Sequence, residues 1–300
     1  MPESFAVTTH GLSLRYGRET ALAGIDLRVP EGAVYVLIGA NGAGKSSAMK
    51  VLLNLERAAT GRAEVFGLDT VSHGPEVRAQ IGYMPESHEH DYAWMTCRRL
   101  IQHVAAYYPA WDHAYAARLM EIFSVHPERK VRTLSKGEGR RLQFVLTLAH
   151  RPPLLLLDEP TDGLDPMVRN RTLAHLAEHL ADTPTTVVIA THHIHEVESL
   201  ADHVGVLSAG RLVAQMSRDE LRRTVRRYRV EVPEGWEAPA ELRTPTLRRS
   251  RGGREMQWTL IGEERDVTAR LTAAGATVRD VTALALEEAA LAFLSEEETP

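Results

Sequence analysis

The sequence predicts an α/β protein with a largely parallel sheet, and two observations carry that expectation. AVYVLIG (Ala33 to Gly39), PPLLLLDEP and TTVVIAT are nearly continuous apolar runs, the pattern of strands buried on both faces. Segments with apolar residues at three- and four-residue steps separate them, the pattern of helices. Buried strands alternating with helices pack as a parallel sheet covered by helices.

The elements follow in order. FAVTTHGLSLRY alternates in part and IDLRVPEG suggests a strand ending in a turn, so the chain is expected to open with an antiparallel β subdomain. SSAMKVLLNL has helical spacing, with Met49, Leu52 and Leu53 on one side. Residues from about 90 to 150 are expected to form a helical subdomain, including RRLIQHVAAYY and DHAYAARLMEIF. HVGVLSAGRLVA suggests a hairpin with Gly210 in its turn. Composition shifts near residue 221, and ten arginines fall between Arg222 and Arg254. EMQWTLI then has a strand pattern and ALALEEAALAFLSEE an amphipathic helical one. We therefore expect a main domain over 1–221 and a small α/β accessory domain over 222–300. No internal repeat is present.

Composition narrows the function. Apolar residues make up 44% of the 300 and charged residues 25%, which is ordinary for a globular protein. A net charge of −5 argues against general nucleic-acid binding, because phosphate-backbone binders show basic surfaces. The single cysteine, Cys97, permits no internal disulfide and suits a reducing cytosol. MPESFAVTTHG lacks a basic segment followed by an apolar one, so no signal peptide is expected. The most apolar run, Leu154 to Leu157, is far short of the ~20 residues of a spanning helix.

GANGAGKS, Gly39 to Ser46, fits G-x-x-x-x-G-K-[ST] and lies between a buried strand and a helix, which is the context the phosphate-loop motif requires. With glycine near 7% of residues, a chance match in a chain this size should occur roughly one time in a hundred. The cradle is expected to comprise Gly39, Ala40, Asn41, Gly42, Ala43, Gly44, Lys45, Ser46 and Ser47. Its glycines let successive N–H groups converge on phosphate oxygens, and the following helix adds the positive end of its dipole. Lys45 is expected to reach the β- and γ-phosphates and the Ser46 hydroxyl to ligate Mg²⁺. The fold expected is a P-loop nucleotide-triphosphatase core.

LLLLDE ends a hydrophobic strand with two carboxylates. Ligands of open α/β sheets bind beyond the carboxyl ends of the strands. Asp158 is thereby expected near the same Mg²⁺, directly or through water, and Glu159 is expected to polarise the attacking water.

LSKGEGRRLQ, Leu134 to Gln143, closely resembles the signature segment of ABC-type ATPases. TDGLDP, with Asp165, resembles their D-loop; His192 sits where their switch histidine sits, and Tyr16 where their adenine-stacking aromatic sits. The resemblance covers about residues 4 to 220. It implies two ATPase subunits paired head to tail, each ATP held by the phosphate loop of one and by Ser135 and Gly137 of the other. A serine hydroxyl, glycine N–H groups and a helix N-terminus suit a phosphate dianion.

Two departures stand out. Where the family commonly has LSGGQ, this chain has Lys136 and Glu138 in LSKGE. Glu86 replaces the glutamine of the family's Q-loop; a carboxylate can still ligate Mg²⁺ but adds negative charge near phosphates. Such variants resemble those of bacterial ABC-2 type exporter ATPases.

THHIHEVES places His192, His193 and His195 close together. A zinc site needs three or four converging ligands. The resemblance gives His192 a role at the γ-phosphate, and the other two are expected to be solvated or helix-capping.

The leading expectation is the ATP-binding, ATP-hydrolysing subunit of a bacterial ABC transporter of the exporter kind. It would lie in the cytoplasm at the inner face of the cell membrane, held there by a separate transmembrane subunit. HEHDYAWM, His88 to Met95, includes Tyr92 and Trp94, which suit that contact or a buried core. A soluble ABC ATPase in translation or DNA repair, kept open by the arginines, and a non-hydrolysing ATP-dependent regulator, motivated by Glu86 and Glu138, are the alternatives.

Overall fold

The structure is a computed structural model describing residues 4–87, 92–234, 236, 246–252 and 254–294. Three strands open the chain: β1 (Phe5–Tyr16), β2 (Glu19–Ile25) and β3 (Arg28–Pro30). β4 (Val34–Ile38) then runs into α1 (Lys45–Leu52). β5 (Thr60–Val65) and β6 (Leu68–Asp69) complete an antiparallel sheet of order β2-β1-β5-β6, with β3 also on β1. Leu12 and Leu14 of β1 are buried while Arg15 is exposed, the alternation of a sheet with one covered face.

α2 (Gly74–Ala79) leads to β7 (Ile81–Met84), and α3 (Cys97–Ala105), α4 (His113–Ile122) and α5 (Lys136–Leu148) follow. Each of these last three helices has an oxygen-bearing N-cap: Thr96, Asp112 and Ser135 accept from Arg99 N, Tyr115 N and Glu138 N. The chain continues through β8 (Leu154–Asp158), α6 (Pro166–Asp182), β9 (Thr186–Thr191), α7 (Ile194–Val197), β10 (His203–Ser208), β11 (Arg211–Ser217) and α8 (Arg218–Thr224).

The second sheet has order β11-β10-β4-β9-β8-β7. Every neighbouring pair is parallel except the β10–β11 hairpin. β4, β8 and β9 are buried at every position, and their alternate side chains serve two cores. Tyr35, Leu37, Leu154, Leu156 and Val188 pack with the antiparallel sheet and α1. Val36, Ile38, Leu155, Leu157, Val187 and Ile189 pack with the helical segments. The register sets Ile38 opposite Thr191 and Asp158 opposite Ala190. The carboxyl ends of these three strands therefore lie side by side.

A third, antiparallel sheet has order β13-β14-β12-β15 and comprises β12 (Val225–Glu231), β13 (Thr246–Gly252), β14 (Glu255–Ile261) and β15 (Thr277–Ala283). Tyr228, Val230, Trp258 and Leu260 pack under α9 (Glu264–Ala273) through Val267 and Leu271. The last helix, α10 (Leu286–Leu294), leaves this small core. Its Leu286, Ala289 and Ala290 join the cluster that holds Ile194 and Val197 of α7. Several of the arginines are ion-paired: Arg222 with Glu198, Arg223 with Glu263, Arg226 with Glu264 and Arg227 with Glu288. Among the described residues no helix is long and apolar enough to cross a membrane.

Candidate active site

A cavity of about 420 Å³ opens at the carboxyl end of β4 and is lined by Tyr16, Asn41, Gly42, Gly44, Lys45, Ser46, Ser47, Glu86 and Glu159, among others. Backbone geometry at the loop requires glycine. Gly44 has φ +106°, and a Cβ there would meet Ala21 O at 2.4 Å; a Cβ on Gly39 would meet Leu207 O at 2.5 Å. Side chains at either position would force the loop apart. Ala40 and Ala43 lie with Asn41 and Gly42 along a second depression, which Leu207 and Leu294 also line.

Lys45 is buried, and its Nζ donates to Gly39 O at 2.8 Å and Ala40 O at 3.3 Å. The same ammonium lies 3.5 Å from Glu159 Oε1. Glu159, 4% exposed, is held from three sides: beside Lys45, Thr191 Oγ1 donates to its Oε2 at 3.0 Å, and His192 Nδ1 lies 2.8 Å from its Oε1. Its backbone sits at φ +45°, a left-handed conformation that a non-glycine residue adopts at a cost of about 1–3 kcal/mol and that clusters at functional sites. Thr191 went unnoticed in the sequence, although its place at a strand end just before His192 could have marked it.

Asp158 carries a different balance. Burial pushes its carboxyl up; the hydrogen bond from Ser46 opposes this, Glu86 and Glu159 push the same way as burial, and Lys45 pulls down. Its Oδ1 is buried without a hydrogen-bond partner among the described residues. A buried carboxylate oxygen left open beside a serine hydroxyl calls for a partner, and a hard divalent cation bound by oxygens satisfies that donor set.

Ser135 and Gly137 do not line this cavity. Ser135 caps α5 at an exposed corner, where Glu138 Oε2 accepts from its N and Oγ, both at 2.9 Å. Arg129 pairs with Glu138. The Ser135 backbone N–H, ahead of burial, holds the Glu138 carboxyl below its ordinary value. Asp165 is also outside the cavity and acts as the N-cap of α6, accepting from Met167 N and Val168 N at 3.1 Å. Of the other two histidines of THHIHEVES, His193 sets its ring 3.8 Å from that of His192 at a 42° tilt, and His195 lies 3.6 Å from Glu287 of α10. Residues 88–91 of the HEHDYAWM segment lie outside the described residues, while Tyr92 and Trp94 are exposed.

A glycine-rich loop on a parallel sheet, with a buried lysine, a carboxylate pair and a histidine at its mouth, defines a P-loop nucleotide triphosphatase. Residues 22–162 match the family model described as ABC transporter. The daunorubicin/doxorubicin resistance ATP-binding protein DrrA of Streptomyces peucetius is 36% identical over 72% of this chain and 67% of its own. The bacitracin transport ATP-binding protein BcrA of Enterococcus faecalis is 32% identical over 75% and 73%. A solved ATP-binding subunit of an ABC transporter superposes with TM-score 0.66 at 27% identity, covering 73% of this chain and 92% of that one. The chain belongs to the ABC transporter family and is an ATP-binding subunit, an ATPase.

Proposed function

We propose that this subunit powers an exporter from the cytoplasmic face of the cell membrane, working as a head-to-tail pair of ATPase subunits bound to a separate transmembrane protein. One observation carries the pairing: the phosphate loop and the carboxylates share a cavity that Ser135 and Gly137 do not line. A signature serine on an exposed helix start suits a γ-phosphate held by another subunit, whether a second copy or a related chain. Export is supported by the relatives named for daunorubicin resistance, bacitracin transport and, at 31% identity, Nod factor export.

The residues fit the chemistry in named roles. Tyr16, exposed at the cavity rim, stacks on the adenine. The loop N–H groups and Lys45 hold the phosphates. Ser46 and Asp158 would hold Mg²⁺, with Glu86 nearby, and the ion would supply charge neutralisation at the phosphates. Glu159 accepts a proton from the attacking water, while Thr191 and His192 fix its carboxylate in place. Asp165 contributes by capping α6 at the D-loop. Tyr92 and Tyr107, linked through the ring of His103, and Trp94, all exposed, form the surface on which the transmembrane subunit docks.

The test is MgATP binding and hydrolysis by the wild type, Lys45→Ala and Glu159→Gln. Chelating Mg²⁺ should abolish turnover, Lys45→Ala should lose nucleotide binding, and Glu159→Gln should bind without turning over. Wild-type hydrolysis by Glu159→Gln would overturn the assignment of the base.

A further inference from the structure

Arg140 is among the largest fully buried side chains, 1% exposed, and the reaction just described does not use it. It lies in α5, one turn beyond the N-cap Ser135. A buried guanidinium is expensive unless its donors are placed; here both Nη groups are, while the buried Nε has no partner among the described residues. Its Nη1 donates to Pro85 O at 2.7 Å and to Gln143 Oε1 at 3.1 Å, and its Nη2 donates to Glu86 O at 2.8 Å. One turn further along the same face, Gln143 Nε2 donates to Ser87 O at 2.9 Å. Three consecutive carbonyls of the loop after β7 are thereby tied to the signature helix, more than fifty residues away in the chain.

Arginine suits this place because its planar fork presents parallel donors in fixed geometry, which a lysine cannot do. The charge also has a destination. Burial lowers the Arg140 pKa, while Asp162, Asp158, Glu86 and Glu159 all act to hold the guanidinium charged. This chain places a carboxylate, Glu86, at a cavity that already holds Glu159, and Arg140 is the buried cation bonded to that residue's own backbone.

We propose that Arg140 is a positioning residue, fixing the Glu86 loop to the signature helix and offsetting the negative charge that Glu86 brings to the metal-binding end of the site. This rests on the assignment of Ser46, Asp158 and Glu86 to a divalent cation.

The test uses the full chain with ATP, Mn²⁺ as probe for Mg²⁺, and two readouts. Mn²⁺ affinity is titrated by electron paramagnetic resonance, and hydrogen exchange is followed in peptides covering 81–95 and, as control, 34–38. Arg140→Met should weaken Mn²⁺ about 10-fold and speed exchange in 81–95, leaving 34–38 and metal-free ATP binding unchanged. Arg140→Lys should recover most of the Mn²⁺ affinity but not the loop protection, since it keeps charge without the fork. Should Arg140→Met fail to fold, Arg140→Gln, which retains one donor, takes its place with the same expectations. Wild-type Mn²⁺ affinity and loop exchange in these variants would overturn the proposal. Absence of Mn²⁺ binding by the wild type with ATP would instead overturn the metal assignment on which it rests.

Discussion

Replacing Thr191 by valine removes one hydroxyl from a fully buried position and changes little else in shape. That hydroxyl donates to Glu159 Oε2 at 3.0 Å and accepts from His193 N at 2.9 Å. A hydrogen bond to a charged group contributes about 1.5–3 kcal/mol, and a buried acceptor left open costs a similar amount. The two descriptions overlap, so we expect a loss of about 2–3 kcal/mol in total. For a large domain this corresponds to a fall in Tm of roughly 4–10 °C. The catalytic effect should be separable. With the hydroxyl gone, Glu159 keeps His192 and Lys45, both on its Oε1 side, and the carboxylate is free to swing. Misplacing a catalytic group by about an ångström costs on the order of 100-fold, so kcat should drop about 10- to 100-fold. KM for ATP should stay within about threefold, because the phosphate loop is untouched. Differential scanning calorimetry and steady-state ATPase assays read the two effects, with Thr191→Ser as the variant that retains the hydroxyl. Unchanged Tm and kcat in Thr191→Val would refute the reasoning that Glu159 is held from this side.

Three further outcomes are expected. Gly44→Ala should abolish nucleotide binding by equilibrium titration and destabilise the fold by about 1–3 kcal/mol, since the Cβ would sit 2.4 Å from Ala21 O at φ +106°. Asp158→Asn should abolish Mg²⁺-dependent turnover yet raise the Tm of the metal-free protein at pH 7. The folded-state pKa of Asp158 lies above its unfolded value, so its effect on stability is most favourable below the unfolded pKa and is lost as pH rises through the folded one. The asparagine variant should therefore lose that pH dependence in thermal melts. Glu138 behaves in the opposite sense: its folded pKa is depressed, so its contribution is present above the unfolded value and lost as pH falls through the folded one. Glu138→Gln should remove that acid sensitivity, keep the cap, because glutamine also completes a capping box, and lower the ATP concentration needed for pairing in light scattering.

The parts of the fold most legible in the sequence are those whose signal is local. β4, β8 and β9 are buried on both faces, so their apolar runs declare them without knowledge of their neighbours. The phosphate loop is legible because a tight backbone cradle needs glycines and a lysine at fixed covalent spacing. What stayed hidden depends on contacts distant in the chain. Arg140 meets the Glu86 loop across 54 residues and Thr191 meets Glu159 across 32; nothing in RRLQ points to the first, and VVIAT marks Thr191 only by its place just before His192. β15, TVRDVTA, has no buried position, so it lacks the alternation that marks a half-covered strand. α10 showed its amphipathic pattern, but not that its apolar face returns past the third sheet to Ile194 and Val197. Asp165 sits in a motif that suggested nucleotide contact, and within one subunit its carboxylate is engaged in capping α6.

The central claim is that the site is completed across two subunits and emptied by Glu159. Size-exclusion chromatography with light scattering, comparing wild type with Glu159→Gln in MgATP, tests it most directly. The account predicts an ATP-dependent dimer of Glu159→Gln that the wild type does not accumulate, and loss of that dimer on adding Ser135→Arg, which blocks the signature corner. A Glu159→Gln dimer that forms equally without ATP, or survives Ser135→Arg, would contradict it.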